Sequence, residues 1–167
     1  MKYLTVLLCS SSIFAMTNCE NLSKVQSEIY ASALNIANAD ITRTEEGGPF
    51  LKRKVGDCSA GKCEILKLSD ETDFLFVYDP NHPDANEAGY IKKPLIEKKN
   101  EMANLHANVT YLRSIARKSR CGVKIRKFGD SLLVQYPKLQ SVKVDVINKD
   151  KSIVRTWKNG KNEIINL

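Results

Sequence analysis

The sequence predicts an α+β protein: two long terminal helices packed as a coiled-coil-like hairpin, a strand-rich middle with its own hairpin, and a small C-terminal antiparallel β module. Three observations predict it. Apolar residues recur at three- and four-residue steps over residues 22–36 and again over 102–116, the period of a helix with one buried stripe. Between them, short apolar runs alternate with charged residues and are broken by Gly and Pro. After Cys121-Gly122, short apolar runs that read as four or five strands follow one another, separated by turn-forming residues.

Residues 1–18 have the layout of a secretory signal peptide: a positive start, a short apolar run and a small-residue end, too short for a comfortable membrane span. This stretch is set apart from the fold. Cys19 follows it directly and is a candidate for lipidation. The expected organisation is therefore a signal peptide at 1–18, a helical and β domain at 19–121 and a basic β module at 122–167.

The first helix is predicted over "ENLSKVQSEIYASALNIANAD". Leu22, Val25, Ile29 and Ile36 form its stripe, with Ala33 beside them, while Lys24, Gln26 and Glu28 fall off it. Asn38 suits the closing turn, because Asn tolerates left-handed backbone there. Asn35, one turn earlier, is expected to be free to hydrogen-bond a facing helix. "FLKRKV" and "CEILKL" read as a hairpin on either side of the Cys58–Cys63 loop. An exported chain meets an oxidising compartment, so these two cysteines are the candidate disulfide, which would add about 2 kcal/mol for so short a loop. A zinc site needs four convergent ligands, and His82 and His106 lie far off with no metal spacing. "DFLFVYDP" is a strand ended by Pro80, and "NHPDANEAGY" is a loop.

The second helix is predicted from about Leu95 to Arg120. Met102, Leu105, Val109, Leu112 and Ala116 step by three and four, a heptad seam, and Ile115 widens it. Neither helix would be stable alone in water, so the two seams are expected to bury each other. Beyond Gly122, Asn159-Gly160 is the strongest of several hairpin-turn signals. A module of this size is expected to lean on the helices or on a partner. Trp157 could stack on a sugar ring or sit in the module's core, and the core is the expected place because so small a module needs its largest apolar group inside.

The net charge of +7 is unevenly spread. From Arg117 to Leu167, thirteen Lys and Arg face four Asp and Glu, whereas the first 116 residues carry thirteen against fifteen. A basic face of this kind can meet an anionic surface. There is no phosphate loop, no nucleophile elbow, no metal-binding cluster and no plausible carboxylate pair. His82 has acids beside it but no nucleophile, which favours a turn role over catalysis. The chain reads as non-enzymatic, with no cofactor, metal, small-molecule substrate or nucleic-acid partner.

Two stretches resemble one family. In "NIANADITRT", Asn35, Ile36, Ala37, Asn38, Ala39 and Thr42 stand at the positions of the asparagine signature of bacterial flagellar rod and hook proteins. "VYDPNHPDANEAGY", followed by Pro94 and then "EMANL", resembles the proximal rod protein of the FlgC type. The resemblance covers about residues 22–118. It implies a structural, self-assembling component of the flagellar basal-body rod, or a periplasmic paralogue of one. Its partners would be other rod subunits or copies of itself, and its signature helix would pack against neighbours. "KKPLIE" departs from the family with Leu95 where Asn is common, and the basic β module and the leader are additions to it. The alternative is an exported envelope module that binds peptidoglycan or another anionic polymer through the basic C-terminal part.

Overall fold

The computed structural model describes residues 10–59, 61–118, 122–136, 142–148 and 152–167. The expected signal peptide falls partly on residues 1–9 and Cys121 falls on 121, outside the described residues; for Cys19 the backbone alone is described, within a helix.

Helix α1 spans Ser10–Ala37. Strands β1 (Arg53–Ser59) and β2 (Lys62–Lys67) form an antiparallel hairpin, with a register irregularity between Val55 and Cys58. Cys58 and Cys63 face each other across it and are joined by a disulfide, S–S 2.01 Å. A single 3-10 turn, Glu71–Asp73, leads into β3 (Phe74–Tyr78), which pairs antiparallel with β4 (Tyr90–Pro94). Helix α2 spans Lys98–Lys118. The remaining strands, β5 (Lys124–Phe128), β6 (Ser131–Gln135), β7 (Val142–Asn148), β8 (Ser152–Trp157) and β9 (Asn162–Asn166), form one antiparallel meander in sequence order.

The predicted fold class is overturned. The body is dominated by nine described strands in three sheets, and its two helices are not a terminal coiled-coil hairpin. The second helix lies inside the chain and starts at Lys98, three residues after the predicted start. The physical reason for the error lies on the faces of α1. Its stripe (Leu22, Val25, Ile29, Ala33, Ile36) is buried, but so are Ser23, Gln26, Ala31, Ser32 and Asn35 on other sides. A helix in a free hairpin exposes those sides to water. Here the β1–β2 hairpin packs along α1, where Ser23 Oγ donates to the Gly61 carbonyl at 2.8 Å. The strand-rich middle therefore flanks the helix rather than sitting at one end of a rod.

One apolar cluster runs through helices and sheet together. Leu22, Val25 and Ile29 of α1 and Leu105, Val109, Leu112 and Ile115 of α2 share it with Leu132, Val134, Tyr136, Ile147, Ile153 and Ile165 of the meander. The meander supplies this face by alternation: Ile125, Val134, Asp145, Arg155 and Glu163 stand opposite one another from strand to strand. Its β5 edge touches α2 and its β9 edge touches α1.

Two charges sit inside this interface. Arg155 makes a bidentate pair with Asp145, Nε to Oδ1 at 2.8 Å and Nη2 to Oδ2 at 3.0 Å, with both side chains almost wholly buried. The guanidinium also lies 4.3 Å from the centre of the Tyr30 ring. Tyr30 donates its hydroxyl to Glu163 at 2.9 Å, so α1 is latched to β8 and β9 by one aromatic side chain. Burial, with the Glu163 bond adding to it, pushes the Tyr30 hydroxyl up to about 12. Burial pulls the Arg155 pKa down, but the Asp145 bond and charge outweigh it, so the guanidinium is held in its charged form. Among the described residues, no helix is long and apolar enough to cross a membrane.

Candidate assembly surface

The two asparagines of "NIANAD" do different work. Asn35 is 2% exposed, yet both ends of its amide are used: Nδ2 donates to the Arg53 carbonyl at 3.0 Å and Oδ1 accepts from the Arg53 N–H at 2.7 Å. The side chain thus imitates a strand, pairing with the first residue of β1. This corrects the expectation that Asn35 reaches a facing helix. Asn38 folds back instead. Its backbone N–H and its Nδ2 both donate to the Leu34 carbonyl, at 3.1 and 2.8 Å, which satisfies an orphan acceptor of the last helical turn. Ile36 and Ala39 are buried, and Ala37 is exposed.

Just past the helix, Thr42 and Arg43 converge on Asp84. Thr42 Oγ1 donates to Asp84 Oδ2 at 2.7 Å, and Arg43 Nε meets Asp84 Oδ1 at 2.7 Å. Asp84 belongs to the "YDPNHPDANEAGY" loop. That loop holds itself in shape: the Asn86 Oδ1 accepts from the Ala88 and Tyr90 N–H groups, and the Asp84 N–H donates to His82 Nδ1 at 3.1 Å. His82 is therefore a turn acceptor here. Gly89 at φ +80° is required, because a Cβ there would stand 2.8 Å from the Tyr78 ring. Two short ion pairs fasten the same corner to α2: Lys98 to Asp40 at 2.6 Å and Lys52 to the buried Glu101 at 3.3 Å. The Lys98 bond holds the Asp40 carboxyl below its ordinary range. The two stretches of sequence singled out for their resemblance, far apart in the chain, meet at Asp84.

The predicted seam residues lie inside. Leu22, Val25, Ile29, Leu105, Val109 and Leu112 are buried within this one chain, and Met102 is partly buried against them. Their faces are covered by the protein's own helices and sheet. Among the described residues, no group of His, Cys, Asp and Glu could hold a metal ion.

Sequence reasoning missed the outward-facing groups. β3 and β4 present Leu75, Phe76, Tyr78 and Tyr90 to solvent. Tyr78 and Tyr90 are register partners whose rings meet edge to face at 5.2 Å, and Lys92 Nζ lies 4.1 Å from the Phe74 ring centre. The short apolar run in "DFLFVYDP" announces a strand, but both of its faces read as apolar, so it does not say which is covered.

The chain is 30% identical over 118 residues to the flagellar basal-body rod protein FlgC of Bacillus subtilis strain 168, a match that takes in 52% of this chain and 77% of that protein. The chain belongs to the flagellar basal-body rod protein family. No family model matches it. About half of the sequence of this rod-family chain lies outside the match.

Proposed function

We propose that this rod-family chain is a structural subunit of the flagellar basal body, assembling with other rod subunits or with copies of itself, and that it carries no catalysis. The observation that supports this best is the relationship to the basal-body rod protein, together with the meeting of the two stretches of resemblance at Asp84. Residues 19–121 are read as the rod-like part and 122–167 as a module added to it, at the flagellum on the periplasmic side.

The interior position of Leu105 and Leu112 changes what assembly must use. The helical seam serves the subunit's own core, so contacts between subunits fall to exposed groups. Deleting the gene tests the proposal: cells should stop swimming and yield basal bodies with incomplete rods, and the intact chain should restore both. Normal rods and normal swimming in the deletion strain refute it.

A further inference from the structure

The two ends of α2 carry opposite charge. Residues 70–94, which hold β3, β4 and the loop between them, contain six Asp and Glu against two lysines, Lys92 and Lys93, of which Lys92 is paired with Glu71. Residues 113–127, which run from the last turns of α2 into β5, contain seven Lys and Arg and no Asp or Glu. Between them lies α2, 21 residues long, which at 1.5 Å per residue sets the two ends about 30 Å apart.

Each end also carries unpartnered apolar surface. At the acidic end, Phe76 and Tyr78 are 52% and 64% exposed, and the Tyr78–Tyr90 pair keeps the platform firm. At the basic end a cleft of about 430 Å³ opens between α2 and the meander. Its floor is Ala116, Val123, Ile125 and Leu132, and its rim is Arg113, Arg117 and Lys127. No carboxylate lines it, and among the described residues these three cations have no ion-pair partner. A cleft with an apolar floor and a cationic rim fits an acidic surface that presents aromatic anchors. This chain carries such a surface at its opposite end.

We propose that the acidic aromatic hairpin β3–β4 of one copy seats in the basic cleft between α2 and β5–β6 of the next. The contact joins two different surfaces, so it repeats head to tail and does not close into a symmetric dimer. The proposal rests on the structural reading above and names the surface through which copies meet.

Sedimentation velocity on the full chain tests it. Mass should grow with concentration at low salt and fall back at high salt, because the charges are exposed and screened. The cleft variant Arg113→Glu/Arg117→Glu and the hairpin variant Phe76→Ser/Tyr78→Ser should each weaken association by about tenfold or more. Mixed together, they should form a one-to-one dimer and nothing larger, since one keeps an intact hairpin and the other an intact cleft. All four positions are exposed, and unchanged circular dichroism and melting establish that both variants remain folded. A wild-type chain that stays monomeric at every concentration overturns the proposal. So do variants that associate like the wild type, or a mixture that stays monomeric. If the monomeric chain instead binds phosphatidylglycerol vesicles and loses them in the cleft variant, the cleft takes an anionic lipid and the proposal fails. A chain that is monomeric in solution yet needed for complete rods overturns this inference and leaves the structural role standing.

Discussion

Replacing Asn35 with Ala should be the more costly of the two asparagine changes in the "NIANAD" stretch. The substitution removes two hydrogen bonds at once and leaves the Arg53 N–H and carbonyl without their partners. A buried polar group left unpaired costs about 1–3 kcal/mol. Asn35 and Arg53 also border an open cleft of about 740 Å³ between the helices and β1. Water entering there offsets part of the loss, which leaves about 2–4 kcal/mol for the pair of bonds. In a chain of this size each kcal/mol moves the midpoint by about 2–4 °C, so the melt should fall by about 4–16 °C. Asn38 is the control. Its side chain supplies a second donor to a carbonyl that already accepts the Asn38 backbone N–H. Asn38→Ala should therefore cost about 0.5–1.5 kcal/mol, one ordinary hydrogen bond. Urea unfolding of the two variants beside the wild type measures both. Equal costs for the two, or a loss below about 0.5 kcal/mol for Asn35→Ala, would refute the argument that Asn35 serves β1.

Other changes separate the remaining contacts. Asp145→Ala strands a buried guanidinium and should destabilise by about 3–5 kcal/mol, whereas Asp145→Leu combined with Arg155→Met should cost far less in the same urea titration. Leu112→Ala empties a fully buried position and should cost about 2–5 kcal/mol of monomer stability, which chemical unfolding of dilute protein reports. Converting Cys58 and Cys63 to Ser opens a short loop and should lower stability by about 2 kcal/mol, with a matching drop in the urea midpoint. Alkaline pH should act through Tyr30: its folded pKa of about 12 lies above the ordinary 10.0, so its contribution is whole below pH 10 and is lost as pH rises towards 12. Tyr30→Phe should shrink the alkaline fall in melting temperature over that window, and an unchanged fall would contradict the Tyr30–Glu163 latch.

The sequence made local signals legible and left the assembly of elements obscure. Apolar periodicity marks Leu22, Val25 and Ile29, and Leu105, Val109 and Leu112, as one-sided stripes. Asn159-Gly160 marks the turn where β8 passes to β9: the Trp157 backbone N–H donates to the Lys161 carbonyl across it, and the Lys161 backbone N–H donates to Asn159 Oδ1 within it. Periodicity could not show that α1 is covered on several sides. Ser23, Gln26, Ser32 and Asn35 are polar letters that count as solvent-facing until a hairpin is laid over them. The Asp145–Arg155 pair misleads in the same way, since charged residues in a strand read as its wet face. Asp84 carried a resemblance but no stated role, because its two partners lie about forty residues away in sequence. The exposed aromatics of β3–β4 were invisible because exposure is a property of what is absent from the other side.

The most direct measurement is the copy number of this chain in purified basal bodies, by quantitative mass spectrometry against the established ring and rod proteins. A structural subunit should be present in a fixed ratio to those proteins, resist salt and detergent washing, and vanish from the particles when the gene is deleted. Complete rods that contain no copies of the chain, or copies that wash away without changing the particle, would contradict the account.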